Sequence, residues 1–321
     1  MVKGPHTVVL SNCQDYEIGN VSKALQTAVD PLGGIGRFVF PGDQVLIKPN
    51  LIKGVPPEVC ATTHPAVVEA VVRQVLDYGG RPFIGDSPAF GDLLAVASPT
   101  GITDICKRYG IPLVPFTNPV YVPVQGSWIK GISIDRAAVE ADKIINLPKF
   151  KTHVQAGFTG AVKNLFGCVV GKRKPFWHFR AGDKDHRFGK MLLDVYHLLN
   201  PALHIVDGIA AMEGNGPVSG QPKQLGLIAA SVDGLPLDRV LCEIIGLPVS
   251  SVETLAALRE YYNLDIDLNG IEMMGAPLRL FTDKAFLPPH REPIRFDLIR
   301  IAFSVLKHLR LRLTAPSAHS P

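Results

Sequence analysis

Short apolar segments alternate with amphipathic helical segments along most of this chain, and this alternation constrains the fold most strongly. Strands are predicted at residues 44–48, 82–85 and 143–147. A helix with one apolar side is predicted at residues 66–78, between the first two of these strands. Strands joined through helices run parallel in one sheet. The sequence therefore predicts an α/β fold with a mainly parallel sheet and helices on both faces.

The composition is typical of a globular protein from a reducing compartment. Hydrophobic residues make up 46% of the 321 residues and charged residues 19%, which favours a sizeable core over disorder. The five cysteines are scattered and never have Cys-x-x-Cys spacing, so we expect neither a disulfide framework nor an iron–sulfur cluster in this chain. No secretory signal and no apolar run of transmembrane length is found in the sequence. We predict a cytoplasmic protein.

The alternation loosens beyond residue 246, and this sets the predicted domain organisation. Residues 1–250 are predicted to form an α/β core domain, and residues 251–293 an α/β extension of it with a last strand at 278–281. Residues 294–313 are predicted to form a basic amphipathic helix, followed by a disordered tail to residue 321. Docking on the core, on a partner or on an anionic membrane remain alternatives for that helix.

Residues 146–180 concentrate positive charge. They hold seven Lys or Arg and no Asp or Glu, whereas the net charge of the whole chain is only +4. Their four glycines permit backbone turns, so we predict a glycine-hinged basic loop with exposed amides that binds a small carboxylate or phosphate. Nucleic acid is disfavoured as a partner, because no basic stripe interleaved with aromatic residues continues elsewhere in the chain.

Polar side chains follow the predicted strands at the points where they end. Ligands of open α/β sheets bind beyond the carboxyl ends of the strands, so these side chains are predicted to meet at one rim. An ordinary turn remains the alternative explanation for any single group of them. The predicted substrate- or anion-binding residues are Lys48, Asn50, Asp86, Ser87, Lys149, Lys151 and Asn164.

Three residues of the basic stretch are predicted to be catalytic, namely Lys163, His153 and His178. Lys163 lies between two glycines, where it is suited to tether a carbonyl or to hold an anion. A solvated lysine at the start of a helix is the alternative. The two histidines are suited to act as metal ligands or as general acid and base, because imidazole titrates near neutral pH. For His178, packing among its aromatic neighbours is the alternative.

Two carboxylates further along the chain are predicted to form a metal site. Asp207 follows a predicted strand at 203–206, and Glu213 opens a glycine-containing turn. Paired carboxylates suit a divalent metal ion or a general base. A simple turn is the alternative reading of the segment that begins at Glu213.

The order of these motifs resembles the domain-of-unknown-function family 362. The matching segments are Ile47-Lys-Pro-Asn50, Thr63-His-Pro65, Gly85-Asp-Ser87, Leu147-Pro-Lys-Phe-Lys-Thr-His153, Gly160-Ala-Val-Lys-Asn-Leu-Phe-Gly167, Val206-Asp-Gly208 and Glu213-Gly-Asn-Gly-Pro217. Longer members of that family carry a C-terminal ferredoxin-like module with four-iron clusters, and this chain lacks the cysteines of that module. The resemblance implies the core domain of the family, with a ferredoxin-type or other iron–sulfur protein as a partner.

A second resemblance concerns the spacing of His153, Lys163 and His178, which is similar to a segment of the lactate racemase family. In that family the lysine tethers a nickel-pincer cofactor and the later histidine binds nickel. This resemblance implies a nickel cofactor here, beside the more general expectation of a divalent metal. The arginine-containing substrate motif of that family is not visible in this chain, and Lys48-Pro-Asn50 occupies its approximate place.

Two functions follow from the sequence as alternatives. The first is an enzyme of a racemase, isomerase or redox-linked type that binds an anionic small molecule in a Lys/His-rich cleft. The second is a non-catalytic binding or assembly protein that works with iron–sulfur partners. Burial of Lys163, His153 and Asp207 around one cleft would favour the enzyme, whereas a flat and exposed basic patch would favour the second function.

Overall fold

The computed structural model describes residues 6–170, 173–182, 185–283 and 285–290. Ten strands of the described chain form one large sheet, and two more form a separate small sheet. The strands of the large sheet are β1 (His6–Asn12), β2 (Gln44–Pro49), β3 (Arg81–Asp86), β4 (Leu113–Pro115), β7 (Lys143–Leu147), β8 (Lys149–His153), β9 (Gly157–Thr159), β10 (Leu203–Glu213), β11 (Gln221–Ser231) and β12 (Ile271–Gly275). Strands β5 (Pro119–Pro123) and β6 (Gly131–Asp135) pair with each other as the small sheet.

Most neighbouring strands of the large sheet run parallel, in the order β12-β1-β11-β10-β7-β2-β3-β4. Strand β11 is the exception, because it is antiparallel to both of its neighbours, β1 and β10. Strand β8 lies parallel to β10 and forms an antiparallel hairpin with β9. The predicted mainly parallel sheet is confirmed.

Both faces of this sheet are covered by helices, as predicted. Adjacent residues of one strand pack into different hydrophobic clusters, for example Ile144 and Ile145 of β7. Such two-sided burial is typical of central parallel strands and requires cover on both faces. The helices are α1 (Ile18–Val29), α2 (Pro65–Asp77), α3 (Leu93–Ala97), α4 (Ile102–Tyr109), α5 (Arg136–Glu140), α6 (Ala161–Asn164), α7 (Arg173–Ala181), α8 (Arg187–Leu199), α9 (Gly234–Ile244) and α10 (Glu253–Tyr262).

Three local predictions were wrong. Residues 278–281 do not form the last strand, because Leu278–Leu280 is a short 3-10 helix and β12 pairs with β1 instead. The stretch 146–180 is not a loop with exposed amides, since its described part forms the β8–β9 hairpin, α6 and α7, and every residue of β8 is buried. Strand β10 does not end at residue 206 but continues to Glu213.

Several other predictions are only partly covered by the structure. All five cysteines lie in the described residues, where they are buried and unpaired. None of the helices in the described ranges is long and apolar enough to cross a bilayer. The segment predicted as a basic amphipathic helix, residues 294–313, lies outside the described residues. The domain boundaries and the cytoplasmic location stay predictions.

The carboxyl ends of three parallel strands lie side by side in this fold. Strand β2 is the neighbour of β7 on one side and of β3 on the other. Strand β8 continues the chain from β7 after a single proline, and α6 follows the β8–β9 hairpin. Polar residues at the ends of β2, β3 and β7 therefore come together with the side chains of β8 and α6.

Candidate functional site

Strand β8 places three ionisable side chains on one face of the sheet. Side chains alternate along a strand, so Lys149, Lys151 and His153 share a face, while Phe150 packs into the hydrophobic core on the other. Both lysines are fully buried. A buried ammonium group requires hydrogen-bond acceptors or counter-charges, and the two lysines obtain them differently.

Lys149 forms a closed ion pair with Asp207 on the adjacent strand. The Lys149 Nζ lies 2.8 Å from Asp207 Oδ2, and the same carboxylate accepts hydrogen bonds from the Tyr16 hydroxyl at 2.9 Å and from the His64 backbone N–H at 2.8 Å. Lys149 also donates to the Tyr16 hydroxyl at 2.8 Å, and the Tyr16 ring stacks on His64 with 3.5 Å between ring centroids. Three donors thus engage the carboxylate of Asp207.

A second buried ion pair joins the ends of β2 and β3. The Lys48 Nζ lies 3.1 Å from Asp86 Oδ1, and Asp86 Oδ2 accepts a hydrogen bond from the Leu51 N–H at 2.9 Å. Gly167 packs directly against this pair, because a Cβ atom at that position would lie 2.6 Å from the Lys48 Nζ. The backbone N–H of Ser87 donates to the Gly167 carbonyl at 3.0 Å. The pair is therefore enclosed by the segment that follows α6.

Three further lysines, Lys151, Lys163 and Lys174, have no carboxylate partner among the described residues; we call them the lysine cluster. Lys151 donates to the Asn50 side-chain oxygen at 2.7 Å and to the Ala61 carbonyl, and Lys174 donates to the Ser87 carbonyl. Lys163 makes no hydrogen bond to any described residue, and its side chain stays partly accessible to solvent. The hydrogen-bond acceptors of the lysine cluster are thus neutral oxygens of one side-chain amide and two backbone carbonyls.

Burial lowers the pKa values of all three lysines of the cluster, and neighbouring ammonium groups add to the shift. Burial, assisted by the charge of Lys174, lowers the pKa of Lys163 from 10.5 to about 7. Burial also lowers the pKa of Lys174 to about 8, although the charge of the Asp86 carboxylate opposes this shift. For Lys151, burial and then the charges of Lys163 and Lys149 lower the pKa well below its ordinary value. Lys163 and Lys174 therefore titrate near neutral pH, unlike solvated lysines.

A chain of side-chain amides connects the lysine cluster to the interior. Asn50, which accepts from Lys151, donates to the Asn164 side-chain oxygen at 2.8 Å. Asn164 donates to the Asn146 side-chain oxygen at 2.8 Å, and the Asn146 amide lies 2.9 Å from His204 Nδ1. Asn164 is the sequence neighbour of Lys163. These neutral groups fix the position of α6 without adding charge to the site.

Helix α6 is fixed at its other end by Asp238. This buried carboxylate accepts hydrogen bonds from the backbone N–H groups of Ala161 at 2.6 Å and Val162 at 3.2 Å. Burial raises the pKa of Asp238 to about 7, although these two hydrogen bonds oppose the shift. A side chain at Gly160 would overlap the Asp238 carboxylate, so glycine permits this close approach. Lys163 is thus held on a short helix with both ends anchored.

The two predicted catalytic histidines lie close to Lys163. Their pKa values are lowered by burial and by the charge of Lys163, so they are not ordinary acid–base groups at neutral pH. His153 Nδ1 faces the backbone N–H groups of Gln155 at 3.2 Å and Ala156 at 3.3 Å, so the neutral ring carries its proton on Nε2. Burial, and then the positive charge of Lys163, keep the pKa of His153 well below its ordinary value. We infer that His153 is a neutral hydrogen-bond donor at neutral pH.

His178 is packed among aromatic rings, as its sequence neighbours suggested. Its ring centroid lies 4.1 Å from that of Phe188 and 5.7 Å from that of Phe166. Burial, and then the charges of Lys163 and Lys174, lower its pKa to about 3. The Nδ1 atom is buried and has no hydrogen-bond partner among the described residues. The structure therefore shows the packing that was the alternative for His178, and its catalytic role stays a prediction.

Glu213 lies apart from this region. It stands at the end of β10, six residues beyond Asp207, which corresponds to roughly 20 Å along a strand. Its carboxylate accepts a hydrogen bond from the Leu287 N–H at 2.9 Å and lines an open groove of about 460 Å³. The described residues contain no group of three or more His, Cys, Asp and Glu that could hold a metal ion. The structure does not bring Asp207 and Glu213 together as a metal-binding pair.

Three residues of this region were not predicted from the sequence to take part in it, namely Lys174, Tyr16 and His64. Lys174 belongs to a run of basic residues that is normally solvated, and its only signal was the absence of acidic residues around it. Tyr16 and His64 were assigned no role, although both contact the carboxylate of Asp207. The predicted substrate- or anion-binding residues do lie together at the carboxyl ends of the strands. They are Lys48, Asn50, Asp86, Ser87, Lys149, Lys151 and Asn164.

The chain belongs to the family described as Domain of unknown function (DUF362), whose model matches residues 45–243. It is 41% identical over 316 residues to the thylakoid-associated protein sll1697 of Synechocystis sp., with 98% of this chain and 97% of that protein covered. The first resemblance found in the sequence is confirmed.

Among solved structures, the chain is similar to the lactate racemase apoprotein from Thermoanaerobacterium thermosaccharolyticum. The two share 14% sequence identity with a TM-score of 0.47, over 78% of this chain and 59% of that chain. This likeness concerns the α/β fold, and the chain spans less than two thirds of that protein.

Proposed function

We propose that this chain is an enzyme that binds a small anionic molecule at the lysine cluster, with Lys163 as its reactive group. The observation that carries the proposal is the charge balance: Lys48 and Lys149 have carboxylate partners, whereas none of the three cluster lysines has one among the described residues. Neighbouring cations that lack an ion-pair partner repel one another, and an anion placed between them offsets that repulsion. A bound carboxylate or phosphate is therefore expected to stabilise the site.

The burial of the site favours an enzyme over an assembly protein. Lys151, Lys174 and His153 are all buried, so a rigid protein surface cannot reach their side chains. A small molecule can enter such a site, and Lys163, which stays partly accessible, marks the side of entry. The alternative, an assembly protein for iron–sulfur partners, would require an exposed basic surface formed by these same residues.

The chemistry that these groups support is proton transfer on an anionic carbonyl or hydroxy compound. With a pKa of about 7, Lys163 is present both as amine and as ammonium at neutral pH. The amine accepts a proton or attacks a carbonyl carbon, and the Nε2–H of His153 donates a hydrogen bond to an oxygen that gains negative charge. These roles match a racemase or isomerase type of reaction.

A nickel-containing organic cofactor is a second proposal, supported by two open nitrogens. Lys163 makes no hydrogen bond to the described residues, and His178 Nδ1 is buried without a partner there. These residues fit the tethering and ligating roles that the lactate racemase family assigns to its corresponding lysine and histidine. Lys163 would hold the organic part covalently, and His178 would bind the metal.

The first test is binding of a plain anion. We expect oxalate to bind the purified chain in a calorimetric titration, and Lys163→Met to weaken that binding roughly tenfold or more, since a charge-assisted contact is lost. Lys107→Met, which removes an exposed lysine of α4, is the matched control and should leave affinity unchanged. Equal affinities for the wild type and Lys163→Met would refute the role of Lys163.

The covalent chemistry and the cofactor are tested separately. Incubation with pyruvate and borohydride should attach the keto acid to Lys163, detectable by peptide mass mapping, if the amine reacts with carbonyls. Elemental analysis and intact-mass measurement of the untreated protein should reveal nickel and a mass increment at Lys163 if the cofactor is present. Protein without nickel or added mass rejects the cofactor proposal and leaves the anion proposal standing.

A further inference from the structure

Thr159, the last residue of β9, has a buried hydroxyl without a hydrogen-bond partner. Its side chain belongs to a residue that is only 2% exposed, and the Oγ1 atom contacts no donor or acceptor among the described residues. Burying an unpaired hydroxyl costs free energy, and buried polar side chains in folded proteins are nearly always hydrogen-bonded. The hydroxyl of Thr159 therefore points to a partner from outside the described chain.

The pairing of β8 with β9 sets the direction of this side chain. Thr159 is the direct partner of Lys151 in the antiparallel register, and directly opposite residues project to the same face of a sheet. The preceding residue, Phe158, projects to the other face, where its ring lies 5.8 Å from that of Phe150 in the hydrophobic core. Thr159 thus faces the layer that contains Lys151 and His153.

A second threonine of the same hairpin provides a comparison. Thr152 is fully buried on β8, and it is paired with Phe158 on the core face. Its hydroxyl donates to the Met212 carbonyl at 3.3 Å and accepts from the Gly216 N–H at 3.3 Å. The hydroxyl on the core face is thus satisfied by the backbone, whereas the hydroxyl on the face of the lysine cluster is not.

The groups that surround Thr159 favour an anion as its partner. The chain continues from Thr159 through one glycine into α6, which carries Lys163. Burial, and then the charge of Lys163, lowers the pKa values of both Lys151 and His153, so these three side chains are close neighbours. A carboxylate offers about four lone-pair positions, which leaves acceptors for a hydroxyl donor beside the lysines.

We propose that the Thr159 hydroxyl is a ligand-binding group of this site and donates a hydrogen bond to the bound anion. This inference rests on the proposed function, because the ligand is the anion at the lysine cluster. The lysines supply charge, and Thr159 supplies a directed donor that does not titrate. Hydrogen bonds to ionised groups are stronger than those between neutral groups, so the unpaired hydroxyl lowers the stability of the ligand-free protein and adds to its affinity.

Oxalate titration of the full chain tests the proposal with two variants of the same position. Thr159→Val keeps the shape of the side chain without the hydroxyl and should bind oxalate roughly tenfold more weakly. Thr159→Ser keeps the hydroxyl and should stay within about threefold of the wild type. Since threonine does not titrate, the affinity ratio of wild type to Thr159→Val should be constant between about pH 6 and about pH 9. The corresponding ratio for Lys163→Met should shrink as pH rises.

Urea unfolding without ligand separates ligand binding from a structural role. Thr159→Val should unfold at an equal or higher urea concentration than the wild type, because it removes an unpaired buried hydroxyl. Thr152→Val is the matched control and should unfold at a lower concentration, since it leaves the Met212 carbonyl and the Gly216 N–H without their partner. Its oxalate affinity should change less than about twofold.

Three outcomes overturn the inference. Wild-type affinity of Thr159→Val, together with weak binding by Lys163→Met, would refute the role of Thr159 and leave the proposed function intact. Loss of stability or failure to fold of the ligand-free Thr159→Val protein would assign the hydroxyl a structural role. A wild-type protein that binds no oxalate would refute anion binding itself, and the role of Thr159 with it.

Discussion

Lys149 and Lys151 lie two residues apart on the same face of β8, yet only Lys149 contacts a carboxylate. Lys149 is 2.8 Å from Asp207, whereas the acceptors of Lys151 are the neutral oxygens of Asn50 and Ala61. Strand geometry alone brings both ammonium groups into the same buried layer. Lys149 thus belongs to a closed ion pair, whereas Lys151 has only neutral acceptors, and the difference is set by the segments that face each side chain.

The first prediction contrasts these two lysines. Lys149→Met should lower the free energy of unfolding by about 3 to 5 kcal/mol, because Asp207 is left as an uncompensated buried charge. Lys151→Met should cost clearly less, since removing a poorly compensated cation offsets the loss of its hydrogen bonds. Urea unfolding at neutral pH measures both. Equal losses of unfolding free energy in the two variants would show that neutral acceptors stabilise the charge of Lys151 as well as a carboxylate stabilises that of Lys149.

The second prediction concerns anion affinity and pH. Lys163 and Lys174 lose their protons near pH 7 and pH 8, and an anion binds best when both are charged. Oxalate affinity should therefore be highest below about pH 7 and fall as pH rises through this window, by up to about tenfold per pH unit for each proton required. Oxalate keeps a constant charge there, so calorimetry reports the protein groups. An affinity independent of pH would contradict the role of both lysines.

The third prediction concerns stability and pH at Lys163. Its pKa is about 7 in the folded chain, below the ordinary 10.5, so the unfolded chain binds more protons between these values. The resulting destabilisation is fully present below about pH 7 and disappears as pH rises towards about 10.5. Relative to the wild type, Lys163→Met should thus gain most stability below pH 7, with the difference shrinking at higher pH. Thermal unfolding at several pH values measures it, and a difference that grows with pH would be inconsistent with a lysine whose pKa is lowered by folding.

The fourth prediction concerns the glycine beside the second ion pair. Gly167→Ala should destabilise the protein by about 1 to 3 kcal/mol, because the new methyl group overlaps Lys48 and Asp86. Gly19→Ala is the control: it lies in α1 with no atom close to the added carbon, and should be neutral or slightly stabilising. Denaturant unfolding of both variants provides the comparison. A fully stable Gly167→Ala protein would mean that the ion pair moves easily.

The architecture and the residues at the rim of the site could be predicted from the sequence, for physical reasons that can be identified. A strand such as β7, which buries apolar side chains on both faces, fits few arrangements other than a parallel sheet with helices on both sides. Lys48 and Asp86 lie near the carboxyl ends of neighbouring parallel strands, so the strand order brings them close together, and their charged atoms lie 3.1 Å apart. Glu213 was misplaced because Asp207-Gly208 resembles a turn, whereas Lys149 and Tyr16 satisfy Asp207 inside a continuous strand.

The inward position of Lys174 and the tautomer of His153 were beyond sequence reasoning. Lys174 lies in a basic run that normally remains in water, and only its contact with the distant Ser87 carbonyl shows that it is buried. The proton position of His153 depends on two backbone N–H groups whose direction is set by the hairpin. Both features arise from long-range or backbone geometry, which residue patterns do not encode directly.

The close packing of Gly167 against Lys48 and Asp86 also limits how this protein can change over evolutionary time. No side chain can be accepted at position 167 while both charged partners keep their places, and loss of either partner leaves the other charge buried alone. A lineage that abandons one of these three residues is thus expected to replace the others soon afterwards. Three positions far apart in the sequence would then be inherited as a single unit.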